Sequence, residues 1–295
     1  MKGKRLGRGL EEISQVFLSS ESTQTVKEIP SERNVPETAP PSIKAPLPPV
    51  HAIGISGGSL YELGLFLLCN TSIELARQGY RVLVVDEDGG SLTVSRLMGL
   101  MDNEGRAESV FCNAPMGVRI VCRTPFQNEL MSSGEIESEG EKIVWPKRLH
   151  RFDFILFHLP FGRLGEMGTL LHLISRTIVL TPTDPAGMLQ TYTAIKDLHQ
   201  CARQMQTGLT VYTDKDEEDA IRAFYRMARN VKNFLKRDLD SYSVLQKTGE
   251  IGESIKEGVP MVIKWPASEI RKDIYNISRL IIEDHEPKRK LHAVH

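Results

Sequence analysis

The chain has 295 residues, 40% hydrophobic and 25% charged, which is enough apolar material for one large core or two modest ones. A formal net charge of -1 gives no global attraction to polyanions and argues against a general nucleic-acid binder. Four scattered cysteines (Cys69, Cys112, Cys122, Cys201), with no C-x-x-C pair or clustered histidines, predict reduced thiols in a cytoplasmic protein and no metal site, and no apolar run approaches the roughly 18 residues that span a bilayer.

In chain order, residues 1–20 come first. Leu10, Ile13, Val16 and Phe17 recur at helical spacing and give one sticky face, a partner-binding helix in expectation. The basic Lys2, Lys4, Arg5 and Arg8 precede it, and Glu11-Glu12 interrupt what would be a signal-peptide core. Residues 21–50 are rich in Ser, Thr, Glu and Pro and end Pro46-Leu-Pro-Pro49-Val50. That composition predicts a linker, so that helix and linker together form a disordered N-terminal arm able to reach a partner.

From His51 to Glu283 strand-like runs alternate with helical patterns, which predicts a mostly parallel twisted sheet with helices on both faces, a three-layer α/β domain. The strands fall at Ala52 to Ser56, Arg81 to Asp86, Gly117 to Cys122, Phe152 to His158, Thr177 to Thr181, Leu209 to Thr213 and Tyr242 to Gln246. Several are near-continuous apolar runs, as strands covered on both faces are. Helices fit Leu60 to Arg77, Gly165 to Ser175, Pro185 to Arg203, Glu217 to Leu235, Glu250 to Glu257 and Ser268 to Glu283. Glu129 to Glu141, with five glutamates, two glycines and three serines, reads as an exposed loop, and 284–295 as a flexible tail.

The first strand, His51-Ala-Ile-Gly-Ile-Ser56, runs into Gly57-Gly-Ser-Leu-Tyr-Glu62-Leu-Gly64-Leu. A strand, a glycine-bearing turn and a helix make the frame of a phosphate-binding loop, where backbone N–H groups at a helix N-terminus cradle phosphates and a lysine reaches the outer ones. Here no lysine occurs between Lys44 and Lys142, and Glu62 places a negative charge where a triphosphate would lie.

The order of these segments resembles the MinD/ParA group of deviant P-loop ATPases over roughly His51 to Leu280, nearest to its FlhG/YlxH flagellar-number regulators. Asp86-Glu-Asp88-Gly89 matches the family's Asp-x-Asp-x-Gly segment. Phe152-Asp-Phe-Ile-Leu-Phe-His158-Leu-Pro160 matches its Tyr-Asp-Phe-Ile-Leu-Ile-Asp-Thr-Pro strand, and Ile178-Val-Leu-Thr-Pro182-Thr-Asp184-Pro matches its next strand and helix start. The resemblance implies a three-layer P-loop NTPase-like (SIMIBI) fold. It also implies a nucleotide pocket at Gly57, Gly58, Ser59, Asp86, Asp88, His158 and Pro160.

The departures fall on the chemistry. The family loop reads Gly-Lys-Gly-Gly-Val-Gly-Lys-Thr; no lysine matches it here, and Leu65 or a neighbour takes the threonine's place. His158 replaces the magnesium-linked aspartate, and an imidazole is a poor ligand for a hard cation. Tyr212-Thr213 stands where the family often has an adenine-facing asparagine. Each lost charge-assisted contact is worth roughly 1.5–3 kcal/mol, and phosphoryl transfer rests almost wholly on such contacts. Asp88, at the position that orients the attacking water, is then a vestigial catalytic residue, equally suited to hold backbone N–H groups at its turn.

The expectation is therefore a catalytically degenerate protein with no cofactor, acting by protein contact as a spatial regulator or scaffold for a flagellum, a pilus or a partition-like system. The alternatives are a nucleotide-binding switch with weak or altered ligand binding, in which Gly57, Gly58 and Ser59 accept a phosphate (ATP or ADP with Mg) or a different ligand, and a divergent active ATPase. Arg5-Leu-Gly-Arg-Gly-Leu10 resembles the segment by which ParB-type proteins contact ParA-type ATPases. A homodimer is compatible with the family, no specific nucleic acid is expected, and peripheral membrane contact through Lys288-Arg-Lys290 or the first helix ranks below core packing of the last helix.

Overall fold

The computed structural model describes residues 49–86, 92–100, 111–132, 138–139, 142–143, 147–160, 162–168 and 170–285. The partner-binding residues Leu10, Ile13, Val16 and Phe17, the linker to residue 48, Asp88 with Gly89-Gly90, and the tail beyond His285 lie outside them. The chain separates into two units, Met1–Ala45 and Pro46–His295, and everything described belongs to the second.

Its elements run β1 (His51–Ser56), α1 (Tyr61–Arg77), β2 (Val82–Asp86), α2 (Val94–Leu97), β3 (Cys112–Asn113), β4 (Arg119–Cys122), α3 (Arg123–Ser132), β5 (Ser138–Glu139) and β6 (Lys142–Ile143). They continue β7 (Phe154–His158), α4 (Leu170–Leu173), β8 (Arg176–Pro182), α5 (Pro185–Cys201), β9 (Gln206–Thr213), α6 (Glu217–Asn230), β10 (Asp240–Gln246), α7 (Gly249–Glu257), α8 (Met261–Lys264) and α9 (Glu269–His285). Eight strands form one sheet in the order β10-β9-β8-β1-β7-β2-β4-β3, parallel except for the short edge strand β3.

Alternation along the central strands divides two cores. Ile53, Ile55, Val82, Val84, Phe154, Leu156, Ile178 and Leu180 face the layer of α1, α7, α8 and α9. Leu83, Val85, Ile155, Phe157 and Val179 face α5, α6 and the chain around α3 and α4. Period-two side-chain direction assigns successive residues to opposite faces, so strands buried on both faces are apolar throughout. The helix α1 is buried along Leu63–Leu75 because it lies on the sheet and is covered in turn by α8 and α9.

All seven strands expected from the sequence form. Four other expectations are corrected. The helix placed at Gly165 to Ser175 is a 3-10 turn (Leu164–Met167) and a four-residue helix, α4, separated at Gly168, whose φ of 50° breaks any continuous helix. The loop placed at Glu129 to Glu141 belongs partly to α3, which reaches Ser132, and partly to the antiparallel β5–β6 pair. The helix placed at Glu217 to Leu235 ends as α-helix at Asn230 and continues as a π-turn, Val231–Leu235, closed by Lys236 at φ 57°. Finally, α9 continues to His285, two residues past Glu283.

Those two residues matter. Asp284 accepts a hydrogen bond from the Tyr242 hydroxyl and lies 3.3 Å from Arg176, while the His285 ring sits 4.5 Å from that of His51 at the start of β1. Burial and the neighbouring His285 push His51 down to about 4, against the opposing pull of Asp153. His285 is pushed down as well, chiefly by burial, and its neutral ring donates to the Ile281 carbonyl at 2.7 Å. Both imidazoles are thus neutral in the fold at pH values where the unfolded chain protonates them. Stability is complete above pH ~6.5 and falls as pH drops toward 4, by roughly 1 kcal/mol for His51 after solvent screening. Urea midpoints at pH 7 and 4.5 are expected to differ less for His51→Phe than for the unmodified chain.

Candidate functional site

In a parallel sheet the carboxyl ends of the strands open into one crevice, and ligands bind where the chain direction reverses. Here that point is at β1 and β7. Ile55 pairs with His158, and Val85 with Phe157, so Ser56, Asp86 and His158 end side by side on adjacent strands. The sheet therefore brings together the sequence-predicted Gly57, Gly58, Ser59, Asp86, His158 and Pro160, which span more than a third of the chain.

The turn between β1 and α1 is tight. Leu60 N donates to Gly57 O at 2.8 Å, Gly64 N to Leu60 O at 3.0 Å, and Gly58 N to the Ser56 hydroxyl at 3.4 Å. Only four residues separate the strand from α1, with no side-chain cap at Leu60. Gly57 and Gly64 touch: a Cβ built on Gly64 would lie 2.5 Å from Gly57 N, and one on Gly57 would lie 2.2 Å from Leu60 O. The backbones of Gly57 and Gly64 thus approach too closely for a side chain at either position. Counted from Gly57, the lysine position of the family loop is Leu63, 9% exposed and part of the core, and the threonine position is Gly64. Glu62 is exposed in the first turn of α1, the end of the helix dipole that favours negative charge.

Asp86 is 3% exposed and accepts the Val94 N–H at 2.9 Å, fastening the end of β2 to the start of α2. Its charge adds to burial in pushing the Cys69 thiol up. A fully buried, un-ionised thiol is not a nucleophile. His158 is 2% exposed, and the Tyr61 ring of α1 stands edge-on to it, centroids 5.0 Å apart at 82°. An imidazole–phenol contact therefore fills the gap between β7 and the start of α1. Beyond it, Leu159 N donates to Ile55 O at 2.9 Å and Pro160 is buried, so the strand's exit is held by packing. On the far side Asp184 caps α5 by accepting Gly187 N at 2.8 Å, and a Cβ on Gly187 would fall 2.1 Å from Pro182 Cγ. Tyr212, opposite Pro182 in register, has its phenol pushed up by burial and by Asp214.

A feature the sequence did not single out lies elsewhere. α5, α6 and the π-turn border a mainly apolar groove of about 630 Å³ lined by Met188, Leu189, Tyr192, Met227 and Phe234 together with Arg226 and Asn230. Leu189 is 66% and Phe234 72% exposed. The position of Leu189, out of phase with the buried stripe of α5, was the available signal. Among the described residues no helix is long and apolar enough to cross a membrane, and no three His, Cys, Asp or Glu side chains gather as a metal site.

No protein-family profile matches the chain, and no curated protein matches it by sequence. Its fold is shared with solved P-loop ATPases. The MinC:MinD cell division complex of Aquifex aeolicus is similar over 80% of this chain and 98% of that one, at 14% identity and a TM-score of 0.56. The Pyrococcus horikoshii septum site-determining protein MinD with Mg-ADP is similar over 79% and 96%, at 16% identity and a TM-score of 0.57. An ATP complex of a Cyanothece McdA variant is similar over 79% and 96%, at 10% identity and a TM-score of 0.54. The three-layer α/β architecture is thus that of the MinD-type P-loop proteins.

Proposed function

We propose that this chain keeps the MinD/ParA fold without ATP turnover and acts through protein contact, as a spatial regulator or scaffold of the FlhG/YlxH kind in the cytoplasm. The closed β1–α1 turn carries the reading. Gly57 and Gly64 lie in backbone contact, Leu63 is buried where the phosphate-holding lysine belongs, and Tyr61 packs on His158 where a magnesium-linked carboxylate belongs. These residues do not fit a magnesium-bound triphosphate. Neutralising its charge takes a lysine, a metal held by oxygen donors and free loop N–H groups. Here Asp86 is engaged by Val94 and Glu62 repels.

What remains is a folded platform with exposed apolar surface at the α5–α6 groove, the kind of patch that marks protein contact. The solved relatives include a MinD with its partner MinC and an McdA, which supports a positioning role for a flagellum, a pilus or a partition-like assembly. Calorimetry with ATP, ADP and Mg2+ at millimolar concentration is expected to give no saturable heat. Micromolar binding would overturn the reading in favour of a nucleotide-responsive switch at Gly57, Gly58 and Ser59.

A further inference from the structure

We infer that α6 is the face through which two copies of this chain pair, without nucleotide. Glu217, Ile221, Tyr225 and Arg229 are spaced by four and all exposed, so they form one solvent-facing ridge of α6, with Ile221 45% and Tyr225 65% exposed. Ridges of this spacing are the surfaces helices use in the commonest packing class. The Phe224 ring stands at 70° to that of Tyr225, centroids 5.7 Å apart, and supports it.

The charges on the ridge are left over from pairing within the chain. Arg222 bonds Glu218 at 3.2 Å and Asp219 at 2.6 Å, and Lys215 reaches Asp219 at 3.4 Å. Glu217 and Arg229 have no ion-pair partner among the described residues, and twelve residues of helix, about 18 Å, keep them from meeting. A twofold axis crossing the exposed ridge midway between Ile221 and Tyr225 resolves both. It sets Glu217 of each copy against Arg229 of the other, and Ile221 against Tyr225, so two apolar pairs are flanked by two ion pairs. An isologous interface demands such self-complementarity, residue i meeting j while j meets i, and a surface serving an unrelated partner does not. The patch is small, so affinity in the range of tens of micromolar is expected.

This inference stands apart from the nucleotide reading, because calorimetry decides one and association the other. Sedimentation velocity of the full chain without nucleotide, from about 5 to 200 µM, is expected to show a reversible monomer–dimer equilibrium. E217R and R229E, each of which faces like charges across the axis, are expected to raise Kd by about tenfold or more. The double variant E217R/R229E restores pairing because the ion pairs are re-formed with reversed sign. Far-UV circular dichroism confirms that each variant folds. A chain that stays monomeric at every concentration overturns the inference, and so does a dimer indifferent to the single reversals or a double variant that fails to recover.

Discussion

Replacing Gly57 by alanine is expected to lower the unfolding free energy by about 3 kcal/mol, the scale of overpacking against atoms that cannot move aside. The new Cβ would meet Leu60 O at 2.2 Å, Leu60 C at 2.7 Å and Gly64 N at 3.0 Å, all backbone, so no rotamer relieves it. Gly64→Ala meets Gly57 N at 2.5 Å and Gly57 Cα at 2.8 Å and is expected to lose a similar amount. Gly252→Ala, in α7 with nothing within 4 Å, carries the same chemistry and the opposite sign. It is expected to gain about 0.5–1 kcal/mol from helix propensity. Urea unfolding of the three variants measures this. A neutral Gly57→Ala would mean that the turn opens at little cost, which would also reopen the space for a phosphate.

The second large loss is expected at Asn70. Its side chain is 1% exposed in the middle of α1, donates to Phe66 O at 2.8 Å and accepts Val262 N at 3.0 Å. One amide thereby ties α1 to the start of α8 across 192 residues of sequence. Asn70→Ala leaves the buried Val262 N–H without an acceptor and opens a small void, together about 3 kcal/mol, seen as a lower urea midpoint with an unchanged m-value. An Asn70→Ala chain as stable as the original would show that water or a shift of α8 replaces the contact.

The parallel sheet was legible because its strands are apolar on both faces, and Val82-Leu-Val-Val85 reads as a buried strand in any context. The helix that begins at Pro185 was legible too, from its apolar spacing, and the structure adds that Asp184 caps it. Legibility failed where several weak preferences compete. Gly168 was invisible inside an otherwise helical pattern, because a positive φ is decided by the chain's path on either side. The edge strand β3 is two residues long, too short for any periodic signal.

The candidate site divides the same way. The lack of lysine between Lys44 and Lys142 and the presence of His158 in its strand are facts of the sequence, and they raised the question of a lost nucleotide site. The sequence did not reveal that Gly57 rests on Gly64, that Tyr61 covers His158, or that Asp86 is engaged by Val94. Nor did it reveal that Glu217 and Arg229 share one exposed helix ridge and have no ion-pair partner among the described residues.

By itself, then, the sequence determined which residues are buried and which chemical groups are available, because hydrophobic periodicity and residue identity are local properties of the chain. The tertiary structure alone decided that the glycines of the β1–α1 turn pack against each other, and which charges lack an ion-pair partner among the described residues. Both are set by approaches of a few tenths of an ångström between segments far apart in sequence, and short-range attraction and repulsion change sign over that distance.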